Sequence, residues 1–128
     1  MPRTFTYEDA AALLPEAQRR IGEVAALVAE LEQLSRAIDA GGVWPGEAPE
    51  VESLEARIAE ALGWFEQRGI QVKGVAPALL DFPARATADG RVIDVLLCWR
   101  EGEEAIAWYH PPETGYLGRE PIASLDHV

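Results

Sequence analysis

Apolar and small side chains recur at alternating spacings of three and four residues along the first third of the chain. This is the period of an amphipathic helix. Thr6, followed by Glu8 and Asp9, provides an N-cap and places acidic residues at the positive end of the helix dipole. We therefore predict a long first helix that begins at about Tyr7. Its apolar positions are Tyr7, Ala10, Leu14, Ala17, Ile21, Val24, Val28, Leu31 and Ile38.

Pro15 lies inside this helical pattern. Its ring removes one backbone hydrogen bond and clashes with the carbonyl group four residues earlier. We therefore expect the first helix to be kinked or broken near Pro15.

The glycines and prolines of residues 41–49 interrupt the helical period and predict a loop. The same period resumes after this loop and ends at Gly69, a residue type that often terminates helices. Two helices of this kind, joined by a loop of about ten residues, form an antiparallel hairpin. We expect the helical hairpin to occupy about residues 7–69.

Beyond Gly69 the pattern changes to alternating or continuous apolar runs, which are typical of β-strands. Asp89-Gly90 and the residues around Gly102 separate these runs as hairpin turns. We predict a small antiparallel β-meander of three or four strands over about residues 70–110, followed by a C-terminal loop at about 111–128.

The composition is that of a globular protein, because 48% of the 128 residues are hydrophobic and 26% are charged. The length fits a single domain. We therefore predict one α+β domain over residues 1–128, in which the helical hairpin packs on the β-meander.

The net charge of -11 opposes binding to phosphate backbones and to anionic lipid, so neither nucleic acid nor membrane is an expected partner. The N-terminus has no apolar signal core, and no run of about 18 apolar residues occurs in the chain. We expect a cytoplasmic protein.

The strand over residues 92–99 is apolar on both faces. An antiparallel sheet commonly exposes one polar face to solvent, whereas this strand requires cover on both. A single helical hairpin covers only one face, and its own apolar stripe is wide. We therefore expect a homodimer formed mainly by the helices, with a different protein partner as the other possibility.

His110 ends the last predicted strand. If the preceding turn is centred on Gly102, His110 pairs with Asp94, which would fix the imidazole tautomer. Cys98, the only cysteine, would then lie four residues from His110 along the sheet, roughly 13 Å at about 3.3 Å per residue. That separation is too large for a Cys-His nucleophile pair or a shared metal site. We therefore expect no metal and no cofactor, and Cys98 is interpreted as a buried, inert thiol.

Arg119 follows a segment with glycines at 115 and 118, which let a ligand approach the backbone closely. Its guanidinium could hold a carboxylate or a phosphate, in which case Arg119 would contribute to binding rather than to folding. An internal salt bridge is the alternative. The candidate ligand-binding residues are Asp94, Arg100, Tyr109, His110, Tyr116 and Arg119.

Short motifs spread over nearly the whole chain resemble the bacterial domain of unknown function family DUF2203. This resemblance implies no particular activity. The motifs are Phe5-Thr6-x-Glu8-x-Ala10, Leu13-Leu14-Pro15, Gly69-x-x-Val72-Lys73, Asp81-Phe82-Pro83, Cys98-Trp99-Arg100-x-Gly102-Glu103, Trp108-Tyr109-His110 and Gly115-Tyr116-x-Gly118-Arg119.

The chain lacks the phosphate-binding loop, the dinucleotide fingerprint, the serine-hydrolase elbow and the zinc-protease motif. Two hypotheses about function remain. The first is a non-enzymatic interaction or oligomerisation module. The second is a protein that binds a small anionic ligand, or an enzyme, with a polar site around His110 and Arg119. No catalytic residue is assigned.

Overall fold

The computed structural model describes residues 4–41 and 49–128, in which two helices precede a five-stranded antiparallel sheet. This confirms the predicted α+β arrangement. Residues 42–48 of the predicted inter-helix loop lie outside the described residues. The helices are α1 (Tyr7–Asp39) and α2 (Pro49–Arg68), and the strands are β1 (Gln71–Val75), β2 (Ala78–Ala88), β3 (Arg91–Arg100), β4 (Trp108–His110) and β5 (Glu120–Pro121).

Helix α1 begins where the sequence predicts. The hydroxyl oxygen of Thr6 accepts a hydrogen bond from the backbone N–H of Asp9 at 3.0 Å. The helix is not broken at Pro15, which lies inside one continuous element. Pro15 is exposed, so the carbonyl group that it leaves unpaired can bind water, while the buried neighbours Leu14 and Ala17 hold the helix to the core on either side.

The hairpin is long relative to the sheet. With 33 residues in α1 and 20 in α2, the two helices are about 50 Å and 30 Å long. The buried residues of α1 end at Val24. We call the remainder, residues 25–39 of α1 together with 49–61 of α2, the distal arm. Neither described helix carries an apolar run long enough to cross a bilayer.

The sheet has the strand order β1-β2-β3-β4-β5. Its main component is the β2–β3 hairpin, with ten paired positions from Leu79 opposite Arg100 to Ala88 opposite Arg91. Asp89 and Gly90 close this hairpin with positive φ angles of 51° and 74°, as the Asp-Gly sequence predicts.

One face of the sheet packs on the helices. Alternate residues of β2 and β3 point to this side, together with Tyr109 of β4. The cluster that they form with the helices is the main hydrophobic core. Its larger members are Phe5, Leu14, Ile21, Val24, Trp64, Phe65, Ile70, Leu80, Phe82, Val95, Leu97, Trp99, Ile106 and Tyr109.

The connection between β3 and β4 differs from the predicted tight turn. Residues 101–107 form a longer, irregular link, in which Trp99 Nε1 donates to the Glu103 carbonyl oxygen at 2.9 Å. The backbone N–H of Arg100 also donates to the Glu103 carboxylate at 2.7 Å. As a result His110 lies opposite Leu96, two residues away from the predicted register.

The C-terminal segment is tied to the rest of the fold. The segment predicted as a loop at about 111–128 contains β5 and two short 3-10 turns. Its end returns to β2 and α1, where the backbone N–H of Thr87 donates to the His127 carbonyl at 2.8 Å and that of Tyr7 donates to the Val128 carbonyl at 3.1 Å.

Replacing Pro15 with alanine tests whether packing alone maintains the helix there. Pro15→Ala restores a backbone donor at an exposed position, so we expect urea unfolding to show a gain of about 1–3 kcal/mol in the free energy of unfolding. A loss of stability would mean that the proline contributes more by restricting the unfolded chain than it costs in the helix.

Candidate functional site

Three polar side chains lie together on the sheet face opposite the helices. Asp81 of β2 is directly opposite Cys98 of β3. His110 of β4 is opposite Leu96, which points to the same face as Cys98 because residues two apart share a face. All three polar side chains are buried, with relative exposures of 2%, 0% and 2% for Asp81, Cys98 and His110.

The donor atoms of this cluster are close together. One carboxylate oxygen of Asp81, the sulfur of Cys98 and one ring nitrogen of His110 lie within 4.8 Å of one another. His110 Nε2 is 3.0 Å from Asp81 Oδ2. His110 Nδ1 is 2.8 Å from the carbonyl oxygen of Pro111, which can only accept, so Nδ1 carries a proton and donates it.

One oxygen of the cluster is unpaired. Asp81 Oδ1 is buried and has no hydrogen-bond partner among the described residues. Leaving a buried acceptor without a partner costs about 1–3 kcal/mol, and more when the group is charged. The carboxylate is therefore a polar group that the fold buries without fully satisfying it.

Burial raises the pKa of the Cys98 thiol from an ordinary 9.0 to about 12, and the negative charge of Asp81 adds to this effect. Arg119 acts in the opposite direction, but more weakly than these two. A nucleophilic cysteine requires a lowered pKa, so Cys98 lacks the activation that nucleophilic catalysis demands.

Arg119 lies beside the cluster and is bound internally. Its Nη2 donates to both carboxylate oxygens of Glu103, at 2.6 and 2.8 Å. Its guanidinium also lies over the rings of Trp108 and Tyr116, at 5.1 and 4.7 Å from their centres. Although burial opposes its charge, the bond to Glu103 raises the pKa of Arg119 above its ordinary value. Only 11% of the Arg119 side chain is exposed. Of the two alternatives, ligand binding and an internal salt bridge, the structure contains the salt bridge.

The predicted neighbourhood of His110 is wrong. The sequence-based register paired it with Asp94, which is in fact 76% exposed and lies 3.7 Å from Arg85. The same register separated Cys98 from His110 by roughly 13 Å, whereas the observed register halves their offset along the sheet to two residues. The geometric reason for excluding a shared Cys-His site therefore does not hold.

The remaining predicted residues divide between the two sides of the sheet. Arg100 is exposed at the end of β3. Tyr109 points to the helix side, where its hydroxyl lies 3.3 Å from a carboxylate oxygen of Glu120. Tyr116 is partly exposed beneath the Arg119 guanidinium. Of the six predicted residues, His110, Tyr116 and Arg119 are therefore in or beside the buried cluster.

Sequence reasoning missed Asp81 and Glu103. Asp81 interrupts the apolar run from Leu79 to Phe82, and an acid inside a buried strand is a signal of a specific polar site. Glu103 stands in the sequence only as part of a turn and of one resemblance motif, and neither indicates a partner for Arg119. The carboxylate, thiol and imidazole groups of the cluster are all donor types found in zinc sites.

The motifs that contribute Asp81, Cys98, His110 and Arg119 come from four separate parts of the chain and meet at this place. A family model described as an uncharacterized conserved protein, DUF2203, matches residues 3–122. The chain therefore belongs to this family. The searches of curated proteins and of solved structures found no match to this chain.

We expect Arg119→Ala to destabilise the protein, which is opposite to the expectation from the sequence. The substitution leaves the Glu103 carboxylate, only 24% exposed, without its partner and removes two cation–π contacts. Urea unfolding should show a loss of about 2–4 kcal/mol. The matched control is Arg85→Ala, whose exposed ion pair with Asp94 contributes at most about 1 kcal/mol. Equal effects of the two substitutions would contradict the structural role of Arg119.

The raised pKa of Cys98 predicts a loss of stability in alkali. Between pH 9.0 and about 12 the unfolded chain ionises its thiol while the folded chain does not. The contribution of Cys98 is therefore fully present below pH 9.0 and decreases by about 1.4 kcal/mol per pH unit above it.

Urea unfolding in the presence of a chelator, compared between the wild type and Cys98→Ala, isolates this contribution from other alkaline titrations. The stability difference between the two proteins should change with pH only above 9.0. Parallel curves for both proteins across this range would show that the native thiol ionises normally.

Proposed function

We propose that the protein is an interaction module that forms a homodimer through its helical hairpin. The observation that supports this is the distal arm, where apolar side chains remain partly exposed at helical spacing. Leu27, Leu31, Leu34 and Ile38 lie at intervals of four, three and four residues on α1, and all four are half-buried. That spacing is typical of a coiled-coil seam.

Helix α2 supplies the other side of the arm. Leu54 is buried there, whereas Val51 and Ile58 are half-buried. In a hairpin that extends beyond its sheet, each helix packs only against the other helix. The apolar residues of both helices therefore keep part of their surface in water. A second hairpin would cover this surface and complete a four-helix arrangement.

The hairpin, and not the sheet, is the basis of the proposal. The sequence suggested that a partner was needed to cover the second face of the sheet. Near β4 that face is covered by the chain itself, because Leu96, Cys98 and His110 are buried there beside Arg119, whereas Val92 near the β2–β3 turn is exposed. The dimer is therefore based on the seam of the distal arm, whose partly exposed apolar residues recur at helical spacing and can pack against a second hairpin.

A groove of about 800 Å³ between α1 and α2 marks where the second copy would lie. Its rim carries both charges, with Arg57 beside Glu60 on α2 and Arg20 beside Glu23 on α1. A two-fold contact places each patch against the same patch on the partner, so arginines of one copy can face glutamates of the other. The floor includes Leu27, Ala61 and Trp64.

The anionic-ligand hypothesis has weaker support, because Arg119 is already paired with Glu103.

A cytoplasmic location is part of the proposal, since Cys98 is the only cysteine and cannot form an internal disulfide.

Light scattering at micromolar concentration tests the dimer. We expect about 28 kDa, twice the 14.0 kDa of one chain. Because each chain carries a net charge of -11, moderate salt should strengthen the dimer by screening the repulsion between the copies.

Ala26→Glu places a new negative charge on the exposed wall of the groove, and it should give monomers with unchanged helical circular dichroism. Ala12→Glu is the matched control, because Ala12 is an exposed alanine of the same helix outside this groove, and the dimer should persist. A wild-type mass of 14.0 kDa, or a dimer that tolerates Ala26→Glu, would contradict the proposal.

A further inference from the structure

We propose that Asp81, Cys98 and His110 form a metal site for a divalent ion of the zinc type, with one ligand from each residue. No part of the hairpin interface is involved. The proposal rests on the position of the three donors, the orientation of the imidazole and the unpaired oxygen of Asp81.

The donor set selects the class of ion. Thiolate sulfur, imidazole nitrogen and carboxylate oxygen all bind zinc, which takes four ligands in a tetrahedron. Magnesium and calcium take oxygen ligands almost exclusively, so Cys98 disfavours both. Three protein ligands leave one tetrahedral position for water or another small ligand.

The spacing of the donors suits this geometry. Metal–ligand bonds of about 2.0–2.3 Å place neighbouring tetrahedral ligands roughly 3.3–3.7 Å apart. His110 Nε2 and Asp81 Oδ2 are 3.0 Å apart, and the three donor atoms lie within 4.8 Å of one another. Small side-chain rotations bring these distances to the tetrahedral values. Each residue lies on a paired strand, so the backbone is held in place and the adjustment falls to the side chains.

The imidazole of His110 is already oriented as in a metal ligand. Its Nδ1–H donates to the Pro111 carbonyl at 2.8 Å, which directs Nε2 toward Asp81 and Cys98. Metal-bound histidines almost always donate their other ring N–H to a carbonyl or carboxylate, which fixes the ring and its tautomer.

A bound ion would also balance the buried charges. A divalent cation with the Asp81 carboxylate and a Cys98 thiolate has no net charge, which lowers the cost of burying all three. Coordination gives the Asp81 carboxylate, whose Oδ1 has no partner among the described residues, a strong electrostatic partner. The ion displaces the thiol proton, as zinc does from coordinating cysteines, and it also displaces the proton that joins His110 Nε2 to Asp81 Oδ2 in the hydrogen bond between them. Arg119 and Glu103 nearby are already paired with each other.

Zinc titration of the chelator-treated full chain tests the site. We expect one zinc ion per chain by calorimetry and elemental analysis, and a rise in melting temperature with zinc concentration. Cobalt substitution of the wild type reports on the ligands without any mutation. We expect a thiolate-to-cobalt charge-transfer band and the intense visible bands of tetrahedral cobalt. Absence of stoichiometric zinc binding, or cobalt binding without the thiolate band, would overturn the proposal.

Single substitutions assign the ligands. Loss of a group that only supports a metal ligand weakens metal affinity by at least about 10-fold. Loss of a ligand itself should weaken zinc affinity by more than this. The exposed residues Asp94 and His127 supply controls with the same chemical change, and these should bind zinc like the wild type. Wild-type affinity in all ligand variants would place the ion elsewhere on this acidic chain and refute the site. The ligand variants are Asp81→Asn, Cys98→Ser and His110→Gln, and the controls are Asp94→Asn and His127→Gln.

Discussion

The β2–β3 hairpin imposes the main constraint on this fold, because its ten paired positions carry a strand that is apolar on both faces. The buried part of this strand, residues 95–99, is stable in water only when both of its faces are covered. The helices cover one face of β3, on which Leu97 is buried in the main hydrophobic core. On the other face, Arg119 lies over Trp108 and is bound to Glu103, so the connection before β4 and the segment after it are held together above the sheet. The C-terminal segment therefore has a structural role, because it covers part of this face of the sheet.

The parts of the fold that depend on local chemistry could be predicted from the sequence. The N-cap at Thr6, the helical period and the turn at Asp89-Gly90 involve residues within a few positions of one another. The effect of Pro15 could not be predicted in the same way. A proline weakens its own turn of helix, but whether the helix breaks depends on packing at Leu14 and Ala17, which involves distant residues.

The candidate site depends on strand register, which the sequence specified only in part. The alternation of side chains along a strand gives the face on which His110 lies, and a shift of the strand pairing by two residues preserves that face. The position along the strand depends on the length of the connection, and the bonds of Glu103 to the end of β3 lengthen it. Moving His110 from Asp94 to Leu96 separates it from an exposed acid and places it beside Asp81 and Cys98. A two-residue error in register therefore hid the cluster.

The distal arm and the buried cluster occupy separate parts of the molecule, and this separation has a physical consequence. The buried residues of α1 end at Val24, so a partner on the arm covers surface that the sheet does not use. The three polar donors lie on the sheet face away from the helices and are supplied by one chain. The proposed dimerisation and the proposed ion binding are therefore independent to a first approximation. The net charge of -11 affects both events at long range, because it repels a second copy and attracts a divalent cation. Coordination releases two protons for the two positive charges that the ion brings, so ion binding leaves the net charge of each copy and the repulsion between two copies unchanged.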